Sequence, residues 1–306
     1  MSSRLADFRP LVSEFGTALK AFQDSRSRVQ ILKTVASSSL FPQDPKAPTE
    51  TDSPRTLFIL DSSFNPPTTA HRTIAQSTLH KSISDGFPKP HRLLLLFATT
   101  NADKDSKPES FDQRLTLMSI FAADLLEGFK ANPEEYSQVS VDIGLTTDPY
   151  YTDKSAAIEQ EGQQWYPSKP KHVHLVGFDS LKRIFTAKYY TKHDPPFAAL
   201  NPYFDAGHGL RVTIRPDDAY GTADEQKAFW QKIADGGFES EGAKTQWAEQ
   251  IELVPPNPRT GISSTKIRKA AQSGKWDELT ELTTPGVAAW IRNEGLYEGS
   301  KSAKMA

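Results

Sequence analysis

Apolar residues in this chain fall into short unbroken runs separated by stretches of helical spacing, and the alternation predicts an architecture. Residues 57–60 (Leu-Phe-Ile-Leu), 92–99 (RLLLLFAT), 172–176, 210–214 and 251–254 are strand-length apolar runs. Such runs suit strands covered on both faces. Residues 139–145 form a weaker strand candidate. Spacing near 3.6 predicts helices over about 69–79, over 111–127 through Leu115, Met118, Ile120, Phe121 and Leu125, from 180 to 185, and over 263–272 and 284–293. Upstream, Leu11, Phe15, Leu19 and Phe22, then Val29, Leu32 and Val35, predict one or two helices packed outside the main domain.

Strands alternating with helices, each strand apolar throughout, predict an α/β fold: a doubly wound parallel sheet that binds ligands beyond the carboxyl ends of its strands. The predicted division is an N-terminal helical extension over 1–36, a linker over 37–54 rich in Ser, Pro and Thr, a main domain over 55–298 and a tail over 299–306. The stretches 151–171, 187–208 and 219–250 are long for connections and are expected to hold extra helices and exposed loops. No internal repeat is present.

Composition narrows the chemistry. The chain has 306 residues, a net charge of −2 and no cysteine. Disulfides, thiolate catalysis and Cys-ligated zinc or iron–sulfur sites are thereby excluded. The charge gives no sign of a general nucleic-acid or anionic-membrane binder. No segment reaches the ~20 apolar residues of a membrane span, and the N-terminus lacks the apolar core of a secretory signal. The expectation is a soluble cytoplasmic or nuclear protein.

Four features fall where a strand's carboxyl end meets a loop or helix. The strand at 57–60 stops at Asp61-Ser62-Ser63, Asn65-Pro66-Pro67 turns the chain, and Thr68 to His71 opens a helix. That arrangement points backbone N–H groups and a helix N-terminus at one spot, which suits an anion. Thr68 and His71, at i and i+3, are neighbours on the first turn. The second feature is the polar loop 101–110 with Lys104 and Lys107, followed by Arg114; the third is Gly177-Phe178-Asp179-Ser180; the fourth is 261–268, GISSTKIR. In the last, Ser and Thr suit an N-cap, and their hydroxyls with Arg268 one turn on could hold a polyphosphate. Each feature alone is more simply read as capping or solvated charge; together, on one sheet, they point to a phosphate site.

SFNPPTTAH at 63–71 followed by ISSTKIR at 262–268 resembles the nucleotidyltransferase α/β superfamily, and within it the nicotinamide/nicotinate mononucleotide adenylyltransferase family, whose first motif reads GSFNPPT-x-x-H and whose last reads ISST-x-x-R. Gln113-Arg114, LVGFDSL at 175–181, VTIRP at 212–216 and PGVAAWIRNEGLY at 285–297 match in order. The resemblance covers roughly 56–297, and the N-terminal extension resembles divergent fungal members. It implies a Rossmann-like nucleotidyltransferase fold and adenylyl transfer from ATP to nicotinamide or nicotinate mononucleotide, giving NAD or its deamido form and pyrophosphate. It implies that His71, Thr68, Lys104, Lys107 and Arg268 serve catalysis. Ser63, Phe64, Asn65, Gly177, Asp179, Arg215, Ile262, Ser263, Ser264 and Thr265 would bind ATP. Ser62, Tyr150, Tyr151 and Thr152 would face the mononucleotide. Mg²⁺ would arrive with ATP, held by phosphate and water oxygens rather than by a protein metal site. ATP and the mononucleotide are the expected partners, with no nucleic acid or membrane, and the N-terminal helices could recruit a protein.

Two departures bear on this reading. Ser62 stands where the family's first motif has Gly. The family's Trp-Glu pair after the third strand is absent from 141–152, VDIGLTTDPYYT, leaving Tyr150 or Tyr151 to stack on the pyridine, with Trp165 in the following insertion. An ATP-binding or ATP-hydrolysing protein with a regulatory role, or a transferase using another phosphate acceptor, is the alternative.

Overall fold

A computed structural model describes residues 2–99, 109–216, 220–256 and 262–298. The strands are β1 (Val29–Ala36), β2 (Ser39–Gln43), β3 (Thr56–Asp61), β4 (His91–Ala98), β5 (Ser140–Thr146), β6 (Lys171–Gly177), β7 (Gly209–Thr213) and β8 (Ile251–Val254). The helices are α1 (Ser2–Asp24), α2 (Thr69–Leu79), α3 (Lys81–Ser84), α4 (Phe111–Ala131), α5 (Tyr151–Glu161), α6 (Phe178–Ile184), α7 (Asn201–Asp205), α8 (Ala223–Ala234), α9 (Ser264–Gln272), α10 (Trp276–Leu282) and α11 (Pro285–Glu294).

One sheet runs β2-β1-β5-β4-β3-β6-β7-β8. From β5 to β8 every pairing is parallel. The order in which the chain adds strands reverses between β3 and β6, as in doubly wound folds, and that is where a crevice opens for ligand. Alternate residues of β3 serve opposite faces: Phe58 and Leu60 join the core under α1, α4 and α11, while Leu57 and Ile59 pack with Ala157 and Ile158 of α5. The strands are apolar throughout because both faces are covered. Among the described residues, no helix is long and apolar enough to cross a membrane.

The N-terminus differs from its expected all-helical form. α1 ends at Asp24 and lies along α4 through Phe8, Leu11, Phe15 and Phe22, with Arg4 paired to Asp124 at 3.1 Å and Glu127 at 2.8 Å. Val29, Leu32 and Val35 are on a strand, β1, antiparallel to β5. The pairing shifts between Ile31 and Lys33, a bulge at Leu32. An extra residue flips the side-chain parity of a strand. Val29 and Ile31 therefore face one core, and Leu32 and Val35 the other. The bulge turns a period of two into an apparent period of three, which imitates a helix. β2, within the expected linker, closes the sheet's edge as a hairpin with β1.

Three histidines are buried in the second half of the sheet. The His172 and His208 rings stack at 4.2 Å, and His174 Nε2 lies 2.9 Å from Ser155 Oγ. Burial lowers His208 to about 4, with Lys171 adding to the effect. It holds His172 and His174 well below the usual histidine range, helped by neighbouring His208 and, for His174, by Lys154. Glu159 Oε1, 3.2 Å from His208 Nε2, is the facing carboxylate. A histidine depressed in the folded state contributes nothing adverse above the unfolded value near 6.5. Below it, the unfolded chain takes up protons that the native state refuses, at about 1.4 kcal/mol per unit of depression. Stability is therefore expected to fall as pH drops from about 6.5 toward 4. Denaturation midpoints compared at pH 7.5 and pH 5 check this, and equal midpoints contradict it.

Candidate active site

The carboxyl ends of β3, β4, β6 and β7 and the N-termini of α2, α6 and α9 enclose a cleft of about 530 Å³. Leu60 to Ser63, Asn65, Thr68, His71, Arg114, Tyr151, Gly177, Asp179, Ser180, Arg215, Ile262 to Thr265 and Arg268 reach it. Two segments nearly 200 residues apart in sequence thus share one wall.

The turn at 62–67 is held from outside by its carbonyls. Arg114 donates from Nε at 2.8 Å, and from a terminal nitrogen, to the Ser63 carbonyl. Arg268 donates to the Asn65 carbonyl at 2.8 Å, Ser264 Oγ to that of Pro66 at 2.8 Å, and Thr283 Oγ1 to that of Pro67 at 2.7 Å. Tyr297 donates to Asn65 Oδ1 at 3.0 Å. With the Ser63, Asn65, Pro66 and Pro67 carbonyls engaged, the turn keeps the N–H groups of Ser63 and Phe64, which have no hydrogen-bond partner among the described residues, as available donors. Phe64 adopts φ 43°, a left-handed conformation unfavourable for a non-glycine residue. Its fully buried ring, 5.2 Å from that of His71, holds it there.

His71 sits at the third position of α2 in a reciprocal cap with Thr68. The Thr68 N–H donates to His71 Nδ1 at 3.0 Å, and Thr68 Oγ1 accepts the His71 N–H at 3.3 Å. An imidazole that accepts at Nδ1 carries its proton on Nε2 when neutral. Burial lowers this histidine to about 4, so it is neutral at physiological pH. Nε2 lies 2.9 Å from Ser62 Oγ.

On the opposite lip, Ser263 caps α9, accepting the Lys266 N–H at 3.4 Å. Arg268 also donates to Thr265 Oγ1 at 3.1 Å. Arg268 and Ser264 therefore bind the first motif as well as facing the cleft, a double duty the sequence did not reveal. Burial lowers Arg114 to about 10, with the like charge of Arg268 a lesser cause; it remains a cation at neutral pH. Gly177 precedes α6, and a Cβ there would lie 2.5 Å from Asp179 Oδ1, so glycine makes room for that carboxylate.

Not every expected residue converges. Lys104 and Lys107 lie outside the described residues. Tyr151 lines the cleft and donates to Ser180 Oγ at 3.1 Å, whereas Tyr150 packs beside Tyr189 and Tyr190 at 6.2 and 6.3 Å. Neither Tyr150 nor Thr152 is part of the lining. Trp165 packs against the core behind α5. The backbone of Arg215 is held by Gln226 through Oε1 at 2.9 Å and Nε2 at 2.7 Å. Sequence reasoning missed the ion pair of Asp61, which lines the cleft, with Lys154; their side chains are 10% and 4% exposed. The Asp61 carboxylate at the end of an apolar strand was the available signal; Lys154 gave none.

The chain is 32% identical over 231 residues to a Schizosaccharomyces pombe protein whose provisional name is nicotinamide mononucleotide adenylyltransferase, and the match covers 75% of this chain and 80% of that one. The chain belongs to the nicotinamide mononucleotide adenylyltransferase family. No family profile matches it. Among solved structures, it is similar to Plasmodium falciparum nicotinic acid mononucleotide adenylyltransferase complexed with NaAD, at a TM-score of 0.45 and 13% identity, over 79% of this chain and 97% of that one. Thermotoga maritima TmcAL bound with alpha-thio ATP aligns at a TM-score of 0.35 and 13% identity, over 78% and 56% of the two chains. Within this adenylyltransferase family member, the first and last motifs are the two halves of one clamp, tied by the Arg268–Asn65 and Ser264–Pro66 hydrogen bonds.

Proposed function

We infer that this enzyme joins ATP and nicotinamide or nicotinate mononucleotide, releasing pyrophosphate. The observation that carries the reading is the locking of 63–71 to 262–268 around a single cleft. An oxygen of the mononucleotide phosphate bonds to the α-phosphorus of ATP as the bond from that phosphorus to the pyrophosphate oxygen breaks. The attacking group is already an anion, so no protein nucleophile is needed; alignment and donors for the spreading charge supply the catalysis.

The Ser63 and Phe64 N–H groups and the first turn of α2 with Thr68 and His71 would bind phosphate on one side. Ser263, Thr265 and the spare N–H groups of Arg268 would hold the β- and γ-phosphates on the other. Among the described residues no group of three or more His, Asp or Glu could hold a metal ion. Mg²⁺ would come bound to ATP, neutralising phosphate charge, and Asp179 could accept from its water ligands. Tyr151 is the aromatic wall for the acceptor, in place of the absent Trp.

Mg-ATP supplied with each mononucleotide in turn is expected to yield dinucleotide and pyrophosphate with at least one of them. ATP binding without dinucleotide from either would overturn the reading.

A further inference from the structure

The one side chain in the first motif that departs from the family pattern, Ser62, meets His71 at Nε2. Its position is fixed by the sheet, because the Ser62 N–H continues the β3–β4 ladder to the Leu96 carbonyl at 3.3 Å. From there its Oγ sits 2.9 Å from His71 Nε2. A backbone N–H can only donate, so the Thr68 contact makes Nδ1 the acceptor and leaves the ring proton on Nε2. Nε2–H then donates to Ser62 Oγ. A hydroxyl that accepts still has its own proton to give. That proton meets no acceptor among the described residues, and Ser62 lines the cleft. The result is a directed chain of donors: Thr68 N–H to His71 Nδ1, His71 Nε2–H to Ser62 Oγ, and Ser62 O–H into the cleft.

We propose that Ser62 is a further catalytic residue, whose hydroxyl donates directly to a phosphate oxygen of the bound nucleotide, with His71 behind it as the positioning residue that orients and polarises that hydroxyl. In a motif with glycine here, the histidine donor would face the cleft itself. In this chain the hydroxyl is interposed, and hydrogen bonds in series strengthen one another. A hydroxyl donating to an anionic oxygen is among the short, strong hydrogen bonds. The inference rests on the phosphate-transfer reading of the cleft, but not on which mononucleotide is the acceptor.

The order of three variants tests it. Ser62→Thr keeps the hydroxyl and is expected to retain activity. Ser62→Ala removes the terminal donor and sets a methyl group over His71 Nε2–H. It is expected to lower kcat about 10–100-fold, the range for losing one donor to a charged oxygen, with KM for ATP changed much less. Ser62→Gly uncovers Nε2–H and is expected to recover much of the loss. A space-filling role predicts the reverse, with alanine at least as active as glycine, and that order would overturn the proposal. So would wild-type kcat in both. Calorimetric binding of inorganic pyrophosphate by the full chain gives a second readout that needs no acceptor. There, affinity should be weakest in Ser62→Ala, and equal affinity in all four proteins contradicts the proposal. If wild type makes no dinucleotide yet pyrophosphate binding follows this order, the acceptor assignment fails and the Ser62 role stands.

Discussion

Replacing His71 with alanine is expected to lower kcat by ~10²–10³, because it unseats the Ser62 hydroxyl and the Thr68 cap together and donors to transition-state charge are worth that much, with a smaller change in KM for ATP. The expectation follows from three contacts of one ring. Nδ1 is taken by the Thr68 N–H, Nε2–H serves Ser62, and the ring lies 5.2 Å from that of Phe64, tilted 46° to it. The neutral state of the ring adds a pH signature. Because burial puts His71 at about 4, its protonation leaves kcat flat from pH 8 down to about 5, with loss only as pH approaches 4. An ordinary exposed histidine would give an inflection near 6.5. Steady-state kinetics across this range in a three-buffer mixture check both points, and an unchanged kcat in the alanine variant removes His71 from the machinery. The Ser62→Ala, His71→Ala double variant should be little worse than His71→Ala alone, since residues acting through one another are not additive.

The Asp61–Lys154 pair should give the largest effect on stability. Both side chains are nearly out of solvent, and the Lys154 ammonium also lies 5.2 Å from the centre of the Tyr151 ring. Lys154→Met leaves the Asp61 charge buried without its partner, at an expected cost of ~3–5 kcal/mol. Adding Asp61→Leu removes the stranded charge and should restore most of that loss, because a buried pair replaced by apolar groups is often near neutral. Urea denaturation of the three variants reads this directly. A loss below about 1 kcal/mol for Lys154→Met would class the pair with solvent-screened surface bridges. The pair also explains why an acidic residue ends an otherwise apolar β3: its partner arrives from α5, across the switch point between β3 and β6.

Much of the core domain was legible from the chain. The runs at 57–60, 92–99, 172–176, 210–214 and 251–254 are strands, and the helices at 69–79, 111–131, 264–272 and 285–294 lie within a few residues of their expected limits. Those segments carry unmixed signals, apolar throughout or apolar at helical spacing. Residues 29–35 misled because a bulge altered the period, and a bulge depends on the partner strand β5, which no local pattern contains. Among the aromatic candidates, sequence spacing could not choose between Tyr150 and Tyr151. The start of α5 decides it, turning Tyr151 toward Ser180 and Tyr150 toward Tyr189 and Tyr190.

The sequence by itself determined the kind of chemistry expected: two motifs suited to phosphate, the order of strands and helices that brings them to the carboxyl end of one sheet, and a histidine in the first turn of a helix. These are local properties, fixed by apolar runs, caps and turn residues. Only the tertiary structure decided how the motifs work together. Arg114, Ser264, Arg268 and Thr283 take the carbonyls of the first turn, Lys154 meets Asp61, and the Ser62 hydroxyl meets His71 Nε2. Each of these contacts joins residues on different elements or at opposite ends of a turn, and their distances are set by the packing of the sheet and its helices rather than by neighbours in the chain.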